Sequence, residues 1–231
     1  MDLFRNIDLG SVAIQFAVLL FSLSLHEAAH AWTADRCGDQ TARYMGRVTL
    51  NPAAHIDPIG TVLFPLIQFF THLPLIGWAK PVPVNPAHLR DPQRDQILIS
   101  LAGPGSNLAA GVAAFVLLAV LKAASPAVNG LFVNMAVTMQ IPRDASVLAP
   151  VVGMLFFLLI INLALALFNL IPVPPLDGHW VLYGLLPYNA GRALARAGSY
   201  GTILLYGLMM LGLLRYVFVP VRWVLMLLIT I

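Results

Sequence analysis

Three stretches of this chain, roughly Gly10 to Ala34, Ile97 to Lys122 and Ala149 to Ile171, run for more than 20 residues with almost no charge. A helix needs about 20 mostly apolar residues to cross a bilayer, so each run is long enough to span one. The remaining sequence cannot shield them from water. Of 231 residues, 59% are hydrophobic and 10% charged, where a soluble domain carries roughly 25% charged. Most of the surface must therefore face lipid.

Further apolar segments are less regular. Tyr200 to Leu214 and Val217 to Ile231 are separated by Arg215 and are short for spans, so they suit short or oblique crossings. Ile59 to Trp78 contains Pro65, His72 and Pro74 and is flanked by Pro58 and Pro81. Proline interrupts helical hydrogen bonding, which points to a re-entrant segment buried against protein. At the N-terminus, Arg5 followed by the apolar run Val12 to Leu25 has the outline of a signal peptide, but the run continues into His26-Glu27-Ala28-Ala29-His30. It is read as a retained first membrane helix.

The expected fold is an all-α polytopic membrane protein forming a single domain over residues 1–231. It has about five to six membrane segments, one of them re-entrant. Arg47-Val48-Thr49-Leu50 alternates like a short strand or one arm of a hairpin and ends at Asn51-Pro52. Lys80 to Pro86 is proline-punctuated and should be extended. The net charge of +3 comes from scattered basic residues with no Lys/Arg-rich run, which argues against nucleic acid as a partner. Cys37 is the single cysteine, which excludes an intrachain disulfide and a cysteine-based zinc cluster; the thiol reads as a bystander at a helix end.

The sequence His26-Glu27-Ala28-Ala29-His30 has the form H-E-x-x-H. On a helix, residues four apart lie about 40° apart around the axis, so both imidazoles can reach one metal ion. Glu27 then sits where a carboxylate can take a proton from zinc-bound water. It is the single glutamate of the chain. Ionisable side chains at bilayer depth cost about 2.5–3.5 kcal/mol each on insertion scales, so such a cluster is functional by default. Catalytic zinc takes a third protein ligand, for which Asp177, His55, His72, His88 and His179 are candidates. Asp177 stands out. Pro172, Pro174 and Pro175 end the preceding apolar run in an extended segment, and Gly178 allows a sharp turn, placing a carboxylate at the membrane end of a helix.

H-E-x-x-H ending an early membrane helix, followed by Asn169-Leu170-Ile171-Pro172-Val173-Pro174-Pro175-Leu176-Asp177-Gly178 ending a later one, resembles the site-2 protease family of intramembrane metalloproteases, in a compact form without a soluble PDZ-type domain. Ala102-Gly103-Pro104-Gly105-Ser106-Asn107 resembles that family's A-G-P-x-x-N element. The resemblance implies one Zn2+ per chain, held by His26, His30 and Asp177, with Glu27 as general base. It also implies that Asn169 positions the substrate carbonyl or stabilises the oxyanion. Asn107 is either a polar tie between helices or a participant in catalysis, and His55 reads as a hydrogen-bonded loop histidine near the site. The implied substrate is a membrane-anchored protein cut in or near its transmembrane segment, within the lipid bilayer. No soluble domain is present to recognise it, so gating falls to the membrane segments or to an unseen regulatory membrane partner. A different class, a transporter or metal channel lined by His26, Glu27 and Asp177, uses the same residues.

One zinc can bind both His30 and Asp177 only if an even number of crossings separates them, which requires Ile59 to Trp78 not to span. That topology puts Arg36, Arg43, Arg47, Lys80, Arg90, Arg94, Arg192 and Arg196 on the active-site face and Arg5, Lys122, Arg143, Arg215 and Arg222 away from it. The excess favours a site opening toward the cytoplasm.

Overall fold

The computed structural model describes residues 9–71, 77–142, 147–187 and 198–230, with 190, 191 and 194 between the last two. Arg5, His72, Arg143, Arg192 and Arg196 lie outside the described residues. The described chain is helical. Helix α1 spans Leu9–Cys37, α2 Thr41–Tyr44, α3 Phe64–Thr71, α4 Pro92–Ala124, α5 Pro126–Thr138, α6 Ala149–Asn169 and α7 Asp177–Leu185. Two more follow, α8 over Gly201–Met210 and α9 over Val219–Thr230. Four segments are long and apolar enough to cross a membrane: Leu9–Cys37, Pro92–Ala124, Ala149–Asn169 and Leu213–Thr230. Pro58–Gln68 and Gly201–Met210 are shorter apolar helices.

Helix ends follow local chemistry. After α1, Gly38 adopts φ 113°; its amide donates to the Asp35 carbonyl at 3.2 Å and that of Asp39 to Ala34 at 3.0 Å. This paired closure satisfies carbonyls the helix leaves open and needs a left-handed residue. The Asp91 carboxylate caps α4 by accepting from the Arg94 amide at 3.2 Å, with Pro92 in the first turn, where a missing N–H costs nothing.

Helices α1, α4 and α6 form the centre. On α4, Asn107, Gly111, Ala114 and Leu118 face inward, while Leu108, Val112, Val116 and Val120, each four residues apart, are about half exposed or more. An exposed apolar stripe at helical spacing suits lipid. The inner face packs on α6 around Phe132, Phe156, Leu159 and Leu118, with the Phe132 and Phe156 rings edge to face at 5.9 Å.

No strand occurs among the described residues, and Arg47 to Leu50 is irregular. Its neighbour explains this. The Arg47 side chain donates to the carbonyls of Lys80 and Pro81, so what lies opposite is the extended segment carrying Pro81 and Pro83, which lack the amides a ladder requires. Helix α5 has no counterpart in the sequence-based expectation. After α3 the chain comes back to its start: Trp78 N donates to Gly60 O at 3.2 Å, and Thr61 Oγ1 donates to Trp78 O at 2.8 Å.

The final span corrects one expectation. Pro220 and Val221 share a groove of about 460 Å³ with Leu101, Pro104 and Leu170, and the ammonium of Lys122 donates to the Leu228 carbonyl. Thus α9 runs alongside α4 in the same sense. Arg215, which precedes it, lies toward the Pro104 end of the bundle, away from Lys122.

Candidate metal centre

His26 and His30 lie on the buried face of α1, 5% and 8% exposed. Their rings meet edge to face with centroids 4.6 Å apart, and the two Nε2 atoms are 3.0 Å from each other. Asp177, the first residue of α7, brings Oδ2 to 3.1 Å from His26 Nε2 and Oδ1 to 3.4 Å from His30 Nε2. These ligand atoms, from residues separated by most of the chain, all lie within 4.8 Å of one another.

The outer ring nitrogens settle the chemistry of this cluster. His30 Nδ1 is 2.7 Å from the Ile99 carbonyl, which can only accept, so Nδ1 carries a proton and the neutral ring has its lone pair on Nε2. His26 Nδ1 lies 2.6 Å from Asn107 Oδ1. The amide nitrogen of Asn107 is committed elsewhere, donating to the Ser22 carbonyl at 3.1 Å. His26 Nδ1–H is therefore also a donor, and in the neutral ring Nε2 is an acceptor. With both rings neutral, two imidazole lone pairs and a carboxylate converge on one point, and Asp177 Oδ2 is buried with only His26 Nε2 within reach. Such an array of acceptors repels itself unless a cation sits among them, and outward Nδ1–H bonds are the usual support of metal-ligating histidines. The donor set, two imidazoles and one carboxylate, suits zinc and leaves a fourth position open.

Gly103 lies against the Nε2 atoms of both histidines. A Cβ placed there would stand 2.6 Å from His26 Cε1 and would overlap the His30 ring. Glu27, on the same turn of α1, accepts from the Val82 amide at 3.2 Å. That amide comes from the extended segment that Arg47 holds.

The other candidates stand apart. His55 is 2% exposed and its Nε2 pairs with the Thr49 carbonyl at 2.9 Å. His88 Nδ1 is 3.2 Å from Asp39. His179 packs edge to face on Trp180. Cys37 is buried with Leu89 and Ile99. His72 lies outside the described residues. Asn169, at the end of α6, turns its amide back to the Leu165 carbonyl at 3.0 Å. Asn107 is a polar tie between helices and also touches His26. Asn162 and Ser22, which hold Asn107, were not foreseen. The available signal was a lone amide within an otherwise uncharged apolar run, since polar side chains in membrane helices tend to bond across to a neighbour.

Residues 14–213 match the sequence pattern of peptidase family M50. A protein of Bacillus subtilis strain 168, provisionally named zinc metalloprotease YwhC, is 35% identical over 220 residues, covering 95% of this chain and 90% of its own. Relatives provisionally named zinc metalloprotease Rip2 are 31% identical in Mycolicibacterium smegmatis, over 93% of this chain and 73% of theirs, and 32% identical in Mycobacterium tuberculosis H37Rv, over 85% and 66%. No solved structure matches the chain at a significant level.

Proposed function

Because the chain belongs to peptidase family M50, the site-2 proteases, and is therefore a zinc-dependent membrane protease, we propose that it hydrolyses peptide bonds in or near the transmembrane segments of membrane-anchored proteins, with His26, His30 and Asp177 holding the zinc. The observation that carries this reading is the convergence of two imidazole Nε2 atoms and a carboxylate, 3.0 to 3.4 Å apart, one residue from Glu27.

Zinc, when bound, polarises a carbonyl and lowers the pKa of water toward about 7. The chain's own residues supply the rest. Glu27 takes the proton of the attacking water and returns it to the leaving amine. The Val82 amide, donating to Oε2, orients that carboxylate. Asn169, released from the Leu165 carbonyl by rotation of its side chain, donates to the developing oxyanion. A substrate helix hides its peptide bonds, so it must unwind before attack.

The membrane arrangement follows the same reading. Two crossings, α4 and α6, separate His30 from Asp177, so both come to one face. The hydrogen bond between Gly60 and Trp78 supports a re-entrant path for Ile59 to Trp78. Arg36, Arg43, Arg47, Lys80, Arg90, Arg94 and Arg215 then lie at the site end, Lys122 at the other and Arg222 within α9, an excess that supports an active site opening toward the cytoplasm. A permeation path through the same residues is not favoured, since the family is one of peptidases.

The test is purified Glu27→Gln protein against a single-span substrate. Bound zinc should stay at one per chain while cleavage falls by about 10²–10⁴-fold. Wild-type cleavage by the variant would overturn the reading.

A further inference from the structure

We propose that Asn162 on α6 and Ser22 on α1 are positioning residues for His26, acting through the side chain of Asn107. The inference rests on the reading of His26 as a zinc ligand.

All three side chains are fully buried. Both amide protons of Asn107 are used: one goes to the Ser22 carbonyl at 3.1 Å, the other to Asn162 Oδ1 at 2.8 Å. The amide of Asn162 donates to the Leu158 carbonyl at 2.8 Å and to Ser22 Oγ at 2.8 Å. Ser22 Oγ in turn donates to the Val18 carbonyl at 2.7 Å. Every branch ends on a backbone carbonyl, which can only accept, so the direction of each bond is fixed. The orientation of Asn162 dictates that of Asn107, and Asn107 can then offer His26 only its oxygen. His26 must carry its proton on Nδ1, and Nε2 is left free to bind a cation.

Without the Asn162 oxygen, one N–H of Asn107 has no partner where water does not reach. Its amide is then held by the Ser22 carbonyl alone, and turning to present nitrogen to His26 costs one hydrogen bond where it had cost two. That stabilises the opposite tautomer, with the proton on Nε2, and a protonated Nε2 cannot bind metal. The network thus spans three helices to keep one proton off one atom. It requires Asn162 to have an acceptor facing Asn107, and the bonds its amide donates to Leu158 and Ser22 hold that acceptor in place.

The test is zinc affinity, measured by chelator competition on the full-length protein in detergent. Asn162→Leu should weaken binding by about 10–100-fold, the usual effect of losing an outer-shell partner. Asn107→Ala should do the same, and the double variant Asn107→Ala/Asn162→Leu should be no weaker than Asn107→Ala alone, because both act through one contact. Asn162→Asp keeps an acceptor toward Asn107 but sets its second oxygen against the Leu158 carbonyl, and should bind more tightly than Asn162→Leu without reaching wild type. The proposal is overturned if Asn162→Leu binds zinc like wild type, or if the two losses multiply. Should Asn162→Leu not fold, Ser22→Ala carries the test: a weakening of about threefold is expected, and unchanged affinity overturns the proposal. His26→Ala distinguishes the layers. If it leaves zinc affinity intact, the ligand assignment itself has failed; if it abolishes binding while Asn162→Leu does not, only the positioning role has.

Discussion

The guanidinium of Arg47 reaches the carbonyl of Pro81 at 3.2 Å, one residue before the amide that donates to Glu27. Arg47 is 3% exposed and also bonds the Lys80 carbonyl. Both bonds leave Nη2 at the far end of the side chain, a reach that the shorter lysine matches only in part. Arg47→Ala should release the extended segment and leave Glu27 unaligned. Misplacing a catalytic group by about 1 Å can cost about 100-fold. We therefore expect kcat to fall by about that factor with zinc content unchanged, and Arg47→Lys to recover only part of it. Single-turnover cleavage alongside metal analysis checks both.

Gly103→Ala should damage the metal centre directly. The added methyl group would stand 2.6 Å from His26 Cε1 and within the His30 ring. Both rings are held from behind by Asn107 and Ile99, so they cannot retreat without losing those bonds. Zinc affinity should drop by about tenfold or more, read by chelator competition. Gly105→Ala, where a Cβ meets nothing within 4 Å, is the control and should bind as wild type.

Asn169→Ala separates binding of the ion from stabilisation of the transition state. If its amide donates to the oxyanion, kcat should fall by about 10²–10³-fold. Zinc affinity should not change, because in this structure the side chain contacts only its own helix. A loss confined to KM would contradict the role.

The junction between α1 and α2 should be sensitive to acid. Burial pushes the Asp39 carboxyl up, but the Thr41 hydroxyl, the Asn85 and Thr41 amides and His88 outweigh it and hold the pKa below its ordinary value. A depressed pKa contributes stability that is present above the unfolded-state value, about 3.9, and is lost as pH falls below it through the folded value. The protection of the Asn85 amide, which meets Asp39 Oδ2 at 2.7 Å, taken relative to its intrinsic exchange rate, should fall below about pH 4. Asp39→Ala should abolish that dependence and cost about 2 kcal/mol or more, the worth of a hydrogen bond to a charged group.

What could be read in the sequence was what is local. His26, Glu27 and His30 share one helical turn, and three prolines before Asp177 end a helix wherever they fall. Contacts set by packing were less visible. Asn162 sits in an apolar run with nothing nearby to say which neighbour it meets. Helix α5 contains Asn129, Gly130 and Asn134, which break the apolar pattern of a span and hide a helix that tertiary packing stabilises. Arg47 to Leu50 alternates like a strand, but alternation cannot reveal that the segment opposite carries prolines. The side on which Arg215 lies depends on the direction of α9, which its own composition does not encode.

The ligand atoms come from residues 26, 30 and 177, and this separation has a consequence for biosynthesis. A chain leaving the ribosome inserts α1 with both imidazoles long before Asp177 exists. Until α6 has crossed and α7 has docked, the nascent protein has two neighbouring lone pairs and no third ligand. With His26, His30 and Asp177 as the proposed ligands, a copy would gain its zinc site only once the chain is made through α7.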